Sequence, residues 1–160
     1  GVVSGYSSSV FYICIYVVMN IGAFGCMYLM RVDGKYKEEI RDLSGISKKH
    51  PLLAVSFLII LFSLAGIPPL GGFFAKFYIF MSVIENEMYT LAIIGLLSTV
   101  ISAFYYLKII KIIYFDEFKQ SFDQIKNLNI TSTIFVSCII LVTFFLYPSF
   151  LSNIINSIFT

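Results

Sequence analysis

The chain has 160 residues, of which 59% are hydrophobic and 12% are charged, and its formal net charge at pH 7 is +2. A mean hydropathy of +0.91 excludes a soluble or disordered domain and indicates a polytopic membrane protein. The charge is spread over loops rather than gathered into a basic stripe, so a nucleic-acid partner is not expected. The length suits four membrane-spanning helices of about 20 to 25 residues with loops between them. We therefore predict one all-α membrane domain over residues 1–160.

The chain opens with residues 1–9, predicted to be a short polar segment, and an uncharged first span follows over residues 10–30. Asn20 lies in this span close to Gly22 and Gly25, a combination typical of helices that pack closely. We expect these residues to serve packing, with a place for Asn20 on a water-lined pathway as the alternative. The three cysteines lie apart in apolar runs, which predicts neither a disulfide framework nor a metal site.

Residues 31–50 are the most polar stretch and are predicted to form a loop on the membrane surface. Part of this loop is expected to be helical, because Tyr36, Ile40 and Leu43 recur at helical spacing. His50, the only histidine, stands at the end of the loop. We expect a structural role for this interfacial histidine and keep a proton-relay role as the alternative.

The second predicted span, residues 52–84, is too long for an ordinary core helix and contains prolines, glycines and a lysine. Tandem proline removes two backbone donors and breaks a helix. Within hydrocarbon, the freed carbonyls must be satisfied by protein or water. We therefore predict a break over Gly66–Gly72, formed by Gly66, Pro68, Pro69, Gly71 and Gly72.

Lys76 follows this break and precedes the acidic turn at Glu85 by nine residues, roughly 13 Å along a helix. That distance places it near the membrane midplane. An ionisable residue at this depth is functional by default, and a broken helix beside a charge is how many transporters build an ion site. Burial favours a neutral amine, whereas the carbonyls that end the first half-helix favour the ammonium. We predict that Lys76 carries protons, with a buried structural cation as the alternative.

The third predicted span, residues 88–115, carries a stripe of polar or small residues at spacings of three and four. Its members are Gly95, Ser98, Thr99, Ser102, Tyr105 and Tyr106. A packing face is the favoured interpretation and a hydrated path is the alternative. Lys108, in the last turns, is expected to extend to the surface and is a weaker proton-path candidate. A fourth span, residues 130–150, is predicted to complete the bundle as a packing helix.

Most of the lysines and arginines lie in two loops, residues 31–50 and 116–129, which the four-span topology places on one side. The positive-inside rule assigns that side to the cytoplasm or the mitochondrial matrix, with both termini on the opposite side. Abundant Phe, Tyr, Ile, Asn and Lys, whose codons are rich in A and T, suit an organellar gene or an AT-rich bacterium.

Three segments carry a family resemblance: Phe62–Tyr78, which contains the break and Lys76, Met19–Phe24, and Ile101–Lys108. In their order along the chain they resemble the antiporter-like membrane subunits of respiratory complex I, and in particular the C-terminal part of the subunit 2 family of mitochondrial NADH:ubiquinone oxidoreductase. The resemblance implies a fold of two inverted half-channels, each with a broken helix that carries a lysine. The chain corresponds to the last four helices, so a separate chain is expected to supply the front half, unless the sequence is a fragment.

The resemblance also implies a function: proton translocation through Lys76, driven by quinone reduction in other subunits. The chain would belong to an enzyme without holding a redox site or a metal, and FMN, iron–sulfur clusters and ubiquinone would lie in partner subunits. Other membrane-arm subunits and lipids are the expected partners. The expected location is the mitochondrial inner membrane, with the basic loops on the matrix side and the termini on the intermembrane-space side. The alternatives are a cation/proton antiporter of the same superfamily and a non-conducting structural segment.

Overall fold

The computed structural model describes residues 2–123 and 128–146, and side chains within residues 5–123 and 128–144. Helices dominate the described residues, as the sequence predicted. The α-helices are α1 (Val2–Tyr28), α2 (Pro51–Ala65), α3 (Gly71–Glu85), α4 (Tyr89–Phe115) and α5 (Leu128–Leu146). Between α1 and α2 lie a short hairpin, β1 (Arg31–Val32) and β2 (Lys35–Tyr36), and two 3₁₀ turns, Ile40–Leu43 and Ile46–Lys48.

Helix α1 begins at Val2, so the prediction of a polar segment over residues 1–9 is wrong for the residues described. The serines that suggested a polar segment before the span are compatible with a helix, because a serine hydroxyl can donate to the carbonyl one turn earlier. The Ser9 hydroxyl does so, to the Gly5 carbonyl at 2.8 Å. Such a hydrogen bond satisfies the hydroxyl without interrupting the helix.

The loop before α2 also differs from the prediction, because Tyr36 belongs to a β-hairpin rather than to a surface helix. Asp33 and Gly34 form the two-residue turn with positive φ values of 53° and 75°. Asp-Gly is a preferred pair for this kind of hairpin turn. The Asp123 carboxylate accepts hydrogen bonds from both of their backbone amides, at 3.1 and 2.8 Å, which fastens the hairpin to the segment after α4. Helical geometry in this loop is limited to the two 3₁₀ turns, Ile40–Leu43 and Ile46–Lys48.

The core lies where α1 packs against α3 and α5, and where α2 packs against α4. It includes Phe11, Ile15, Met19, Cys26, Phe57, Ile60, Ile113, Ile134 and Leu141. The predicted packing role of two glycines in α1 is confirmed. A methyl group on Gly22 would lie 2.9 Å from the Ile60 side chain, and one on Gly25 would lie 2.8 Å from that of Ile134.

Two of these helices are long and apolar enough to cross a membrane by themselves: α1, over Gly5–Tyr28, and α4. Helix α2 and residues 128–144 of α5 are shorter apolar helices, and α2 and α3 together form the broken span. The start of the fourth span agrees with the prediction to within two residues. Its predicted end, near Pro148, lies outside the described residues. The acidic turn after α3 is present, with Glu87 at a φ of 58°.

Candidate functional site

The break between the half-helices begins where α2 ends at Ala65, and a left-handed glycine closes that helix. Gly66 has a φ of 80°, and its amide donates to the Ser63 carbonyl at 3.0 Å. The amide of Ile67 reaches back to the Phe62 carbonyl, also at 3.0 Å. This pair of hydrogen bonds is a Schellman-type cap, in which glycine adopts the left-handed conformation at little cost.

The break is shorter than predicted, because it covers residues 66–70, whereas Gly71 and Gly72 belong to the first turn of α3. A glycine is required at position 72 because a side chain would clash with α2, and not because the backbone there needs glycine's flexibility. A Cβ on Gly72 would lie 1.9 Å from the Ser63 carbonyl oxygen, which leaves no room for a side chain. The Gly72 amide also donates to the buried Ser63 hydroxyl at 2.9 Å. The first turn of α3 therefore packs directly against the last turn of α2.

The two prolines determine which carbonyls of α2 lack their usual partners. In a continuous helix the carbonyls of Leu64 and Ala65 would accept from residues 68 and 69, and both are prolines without an amide hydrogen. The Lys76 Nζ donates to the Leu64 carbonyl at 2.8 Å. Lys76 thus satisfies one of the two carbonyls that the prolines leave open, and the break itself holds the lysine in place.

Lys76 lies one turn beyond the start of α3 and is half-buried. Its aliphatic carbons pass over Gly66, where an added Cβ would be 3.0 Å from Cδ and 3.4 Å from Nζ. The Lys76 side chain lines a partly open cavity of about 480 Å³ between α1, the end of α2, α3 and α4. The cavity is lined by Tyr12, Tyr16, Met19, Leu64, Lys76, Ile79, Phe80, Val83, Leu91, Gly95, Ser98, Thr99, Ser102 and Tyr106.

Five of the six residues in the predicted α4 stripe line this cavity. Tyr105 is the exception and is 59% exposed. The stripe also packs against α3, because a Cβ on Gly95 would lie 2.8 Å from a ring carbon of Phe80. Two stripe hydroxyls already donate to their own helix, from Thr99 to the Leu96 carbonyl at 2.7 Å and from Ser102 to the Ser98 carbonyl at 3.0 Å. With their hydrogens engaged, these oxygens offer lone pairs, which suit an ammonium or the hydrogens of water.

Tyrosines from α1, which were not predicted as site residues, complete the polar lining. Tyr12 and Tyr16 stack on each other with ring centroids 5.8 Å apart. Their spacing of four residues, followed by Met19 three residues later, places them on one helix face, and this periodicity was the available signal. None of the described residues that line the cavity is a carboxylate. Among the described residues, Lys76 therefore bonds to a carbonyl and shares its cavity with hydroxyls rather than with a carboxylate.

A smaller cavity of about 260 Å³ lies next to the Lys76 cavity, and the two share Ile79 and Val83. Its lining comes from the start of α1, the end of α3 and the turn that follows, and it includes three serines and an asparagine: Gly5, Tyr6, Ser8, Ser9, Ile79, Ser82, Val83, Asn86 and Met88. It lies beside the acidic turn at residues 85–87, at the end of α3 away from the break. Two apolar side chains thus stand between the lysine cavity and a polar cavity near the surface.

The three weaker candidates do not line the Lys76 cavity. Asn20 donates to the Tyr16 carbonyl of its own helix at 2.7 Å. Lys108 is exposed near the end of α4. His50 begins α2, where its Nε2 accepts the Phe122 amide at 3.1 Å and lies 3.0 Å from the Ser121 hydroxyl. Its contacts fit the structural role favoured by the sequence analysis, since the ring fastens the segment after α4 to the start of α2.

Comparison with known proteins identifies the family. The model of the NADH:quinone oxidoreductase/Mrp antiporter transmembrane family matches residues 1–102. This chain belongs to that family. Within it, the chain is 54% identical over 154 residues to NADH-quinone oxidoreductase subunit N of Pelagibacter ubique, covering 96% of this chain and 33% of the relative. It is 45% identical over 145 residues to the protein of the same name from Paramagnetospirillum magneticum, covering 91% and 30%.

A solved structure shares the fold of this antiporter-family chain. It is a chain of respiratory complex I from Thermus thermophilus with bound aureothin, with a TM-score of 0.80 and 23% identity over 92% of this chain and 34% of that one. The chain spans about a third of the length of the relatives that it matches. These comparisons support the expected resemblance to the C-terminal part of an antiporter-like complex I subunit. The named relatives are bacterial subunits N rather than mitochondrial subunits 2.

Proposed function

We propose that the chain forms the C-terminal half-channel of a proton-translocating antiporter-like subunit of NADH-quinone oxidoreductase, and that Lys76 is its proton carrier. The observation that carries this proposal is the position of the Lys76 amine. It is 2.8 Å from the Leu64 carbonyl, at the break in the helix, and the Lys76 side chain lines a cavity together with several hydroxyls. The family and its subunit N relatives support the assignment.

The proposed step is a reversible proton transfer between the Lys76 amine and water in the cavity. An ammonium has three hydrogens, so one can point at the Leu64 carbonyl while another is given to water. After deprotonation the neutral amine still has two hydrogens and gains a lone pair. The hydroxyls of Thr99 and Ser102 can accept hydrogen bonds from the same water. The lysine thus accepts and releases a proton without moving its nitrogen away from the break.

We propose that the path leads past Ile79 and Val83 into the smaller polar cavity and reaches the surface near Asn86. The shared lining of the two cavities supports this route. Neither side chain can exchange a proton, so water must pass between them for transfer to occur. Motion of these two side chains then opens and closes the connection. The loops rich in lysine lie at the other end of the bundle, on the proposed cytoplasmic or matrix side.

The redox chemistry belongs to other chains of the proposed complex. NADH oxidation and quinone reduction would take place there, with FMN, iron–sulfur clusters and ubiquinone. These reactions would change the electrostatic potential at Lys76. Other membrane-arm subunits and a chain carrying the front half-channel are the proposed partners. We propose an energy-conserving membrane as the location. The mitochondrial inner membrane follows from the sequence analysis, whereas a bacterial plasma membrane fits the organisms of the named relatives.

The proposal is tested by NADH-driven proton pumping in membrane vesicles that contain the assembled complex. Lys76→Arg keeps a donor for the Leu64 carbonyl but does not release its proton, because arginine is not deprotonated in proteins. Lys76→Met removes the charge. Both variants are expected to assemble and to pump at least about tenfold more slowly, since proton transfer by a placed side chain contributes about 10²–10⁴-fold. Lys108→Met is the matched control, because that lysine is exposed, and it is expected to pump normally.

Normal pumping per NADH by both assembled Lys76 variants would refute the proton-carrier role and favour the structural-segment alternative. The Mrp-type antiporter is the other candidate, because the family model includes both kinds of protein. The two differ in their partners. If NADH-oxidising subunits co-purify with the chain, it belongs to the redox-driven complex. If they are absent and the vesicles instead exchange Na⁺ for protons, the antiporter alternative is correct.

A further inference from the structure

A third cavity, of about 760 Å³, lies between the start of α2 and the length of α5 and shares no lining residue with the Lys76 cavity. We call it the α2–α5 groove. Most of its lining is apolar, and the side chains include Leu52, Leu53, Val55, Ile59, Phe122, Ile134, Phe135, Cys138, Ile139 and Val142. Several of them are partly open to the outside; Leu52 is 85% exposed and Phe135 is 65% exposed. An apolar groove of this kind excludes a polar substrate.

The groove is elongated, and its length matches one leaflet of a bilayer. Its lining on α5 runs from Thr131 to Thr143, which is about 18 Å at 1.5 Å per residue. On α2 it runs from Pro51 to Ile59, about 12 Å by the same rise. A hydrocarbon core about 30 Å thick allots about 15 Å to each leaflet. An extended acyl chain fits these dimensions better than a compact ligand does.

One end of the groove is at the start of α2, where Lys49 is part of the lining and the exposed Lys48 precedes it. Among the described lining residues, Lys49 is the one lysine or arginine and Asp123 is the one carboxylate. The Asp123 carboxylate is occupied, because it accepts hydrogen bonds from the amides of Asp33 and Gly34. These hydrogen bonds leave the carboxylate its charge, but the two ammonium groups of Lys48 and Lys49 outnumber it, so the net charge at this end is positive.

We infer that the α2–α5 groove binds an anionic phospholipid, with one acyl chain along α5 and the phosphate at Lys49. Charge complementarity selects the headgroup: basic pockets between membrane helices on the cytoplasmic or matrix side are typical sites for anionic lipid headgroups. The length and the apolar lining of the groove favour an acyl chain. This inference does not depend on proton transfer by Lys76, because the two cavities are separate.

The test uses the assembled complex in phosphatidylcholine vesicles that contain a small fraction of phosphatidylglycerol with a photoreactive diazirine on one acyl chain. After irradiation, labelled peptides are mapped by mass spectrometry. Label is expected in residues 51–59 and 131–143, and more strongly than with the matching phosphatidylcholine probe. Lys49→Gln is expected to lower labelling by phosphatidylglycerol about fivefold, the equivalent of about 1 kcal/mol for one lysine at a membrane surface.

Two further variants make the result specific. Lys35→Gln removes an exposed lysine of the hairpin that is not part of the groove and is expected to leave labelling unchanged. Val55→Phe narrows the groove and is expected to lower labelling by both probes in a complex that still oxidises NADH. Equal labelling by the two probes, no response to Lys49→Gln, or label absent from both segments would overturn the inference. The last result, with the groove instead cross-linked to another subunit, would identify a protein occupant.

Discussion

The contact between Gly72 and Ser63 gives the sharpest prediction, which is that Gly72→Ala disrupts the break and displaces Lys76. The added Cβ would lie 1.9 Å from the Ser63 carbonyl oxygen and 2.7 Å from its carbon. Both partner atoms are backbone, so no side chain can turn away. Restoring an ordinary carbon–oxygen contact of about 3.4 Å requires the half-helices to separate by about 1.5 Å.

The magnitude follows from three contributions. Overpacking of this kind costs about 1–3 kcal/mol, and more when the backbone has to shift. The Gly72 amide would also lose the buried Ser63 hydroxyl, at about 1–3 kcal/mol. Alanine regains about 1 kcal/mol because it favours the helix over glycine. The expected net loss of stability is therefore about 1–5 kcal/mol. A shift of 1.5 Å would also lengthen the 2.8 Å contact between Lys76 and Leu64 beyond hydrogen-bonding distance.

The assay heats membranes in steps and measures the temperature at which half of the NADH-driven proton pumping is lost, with the amount of assembled complex followed alongside. Gly72→Ala is expected to lower both. Gly71→Ala is the matched control, because its nearest neighbour is a Phe144 ring carbon at 3.1 Å that can give way, and it is expected to behave almost as the parent. If Gly72→Ala assembles, resists heat and pumps as Gly71→Ala does, the close contact does not determine the break.

Three further substitutions test the surroundings of the lysine. Gly66→Ala is expected to lower stability by about 1 kcal/mol, because alanine disfavours the left-handed backbone, and to displace the Lys76 side chain. Proton pumping is therefore expected to fall more than the amount of assembled complex does; normal pumping would contradict this. Ser63→Ala leaves the Gly72 amide buried without its acceptor and should lower the half-inactivation temperature by the equivalent of about 1–3 kcal/mol, whereas an unchanged temperature would mean that water replaces the hydroxyl. Ser102→Val removes a polar group from the cavity lining and is expected to slow pumping without affecting assembly; an unaltered rate would exclude this hydroxyl from the path.

The sequence predicted the broken helix and its lysine because proline, glycine and lysine have few uses inside an apolar run. It misplaced the end of the break at Gly72. Glycines usually suggest an irregular backbone. Position 72 needs a glycine for another reason, its close contact with Ser63, which lies nine residues away and which no local pattern reveals. The role of Leu64 was equally hidden, since an unpaired carbonyl acquires a partner only when two half-helices are placed in space.

Other differences came from signals that were present in the chain. Asp33-Gly34 is a hairpin pair, yet the helical spacing of Tyr36, Ile40 and Leu43 outweighed it in the prediction. The serines before Val10 suggested a polar segment ahead of the first span, although a serine hydroxyl can donate to a carbonyl of its own helix. The α4 stripe was detected, but whether it packs or lines a cavity depends on the residues opposite, and those come from a different helix.

The hydrogen bond between Lys76 and Leu64 has a consequence for how the site keeps its geometry through a cycle. A carboxylate partner would bind the ammonium as an ion pair and lose most of that attraction on deprotonation, so that each turnover would release the side chain. A carbonyl oxygen accepts a hydrogen from –NH₃⁺ and from –NH₂ alike, so the two prolines provide an anchor that persists in both protonation states. In the proposed mechanism, Lys76 can therefore change its protonation state while its nitrogen stays beside the Leu64 carbonyl.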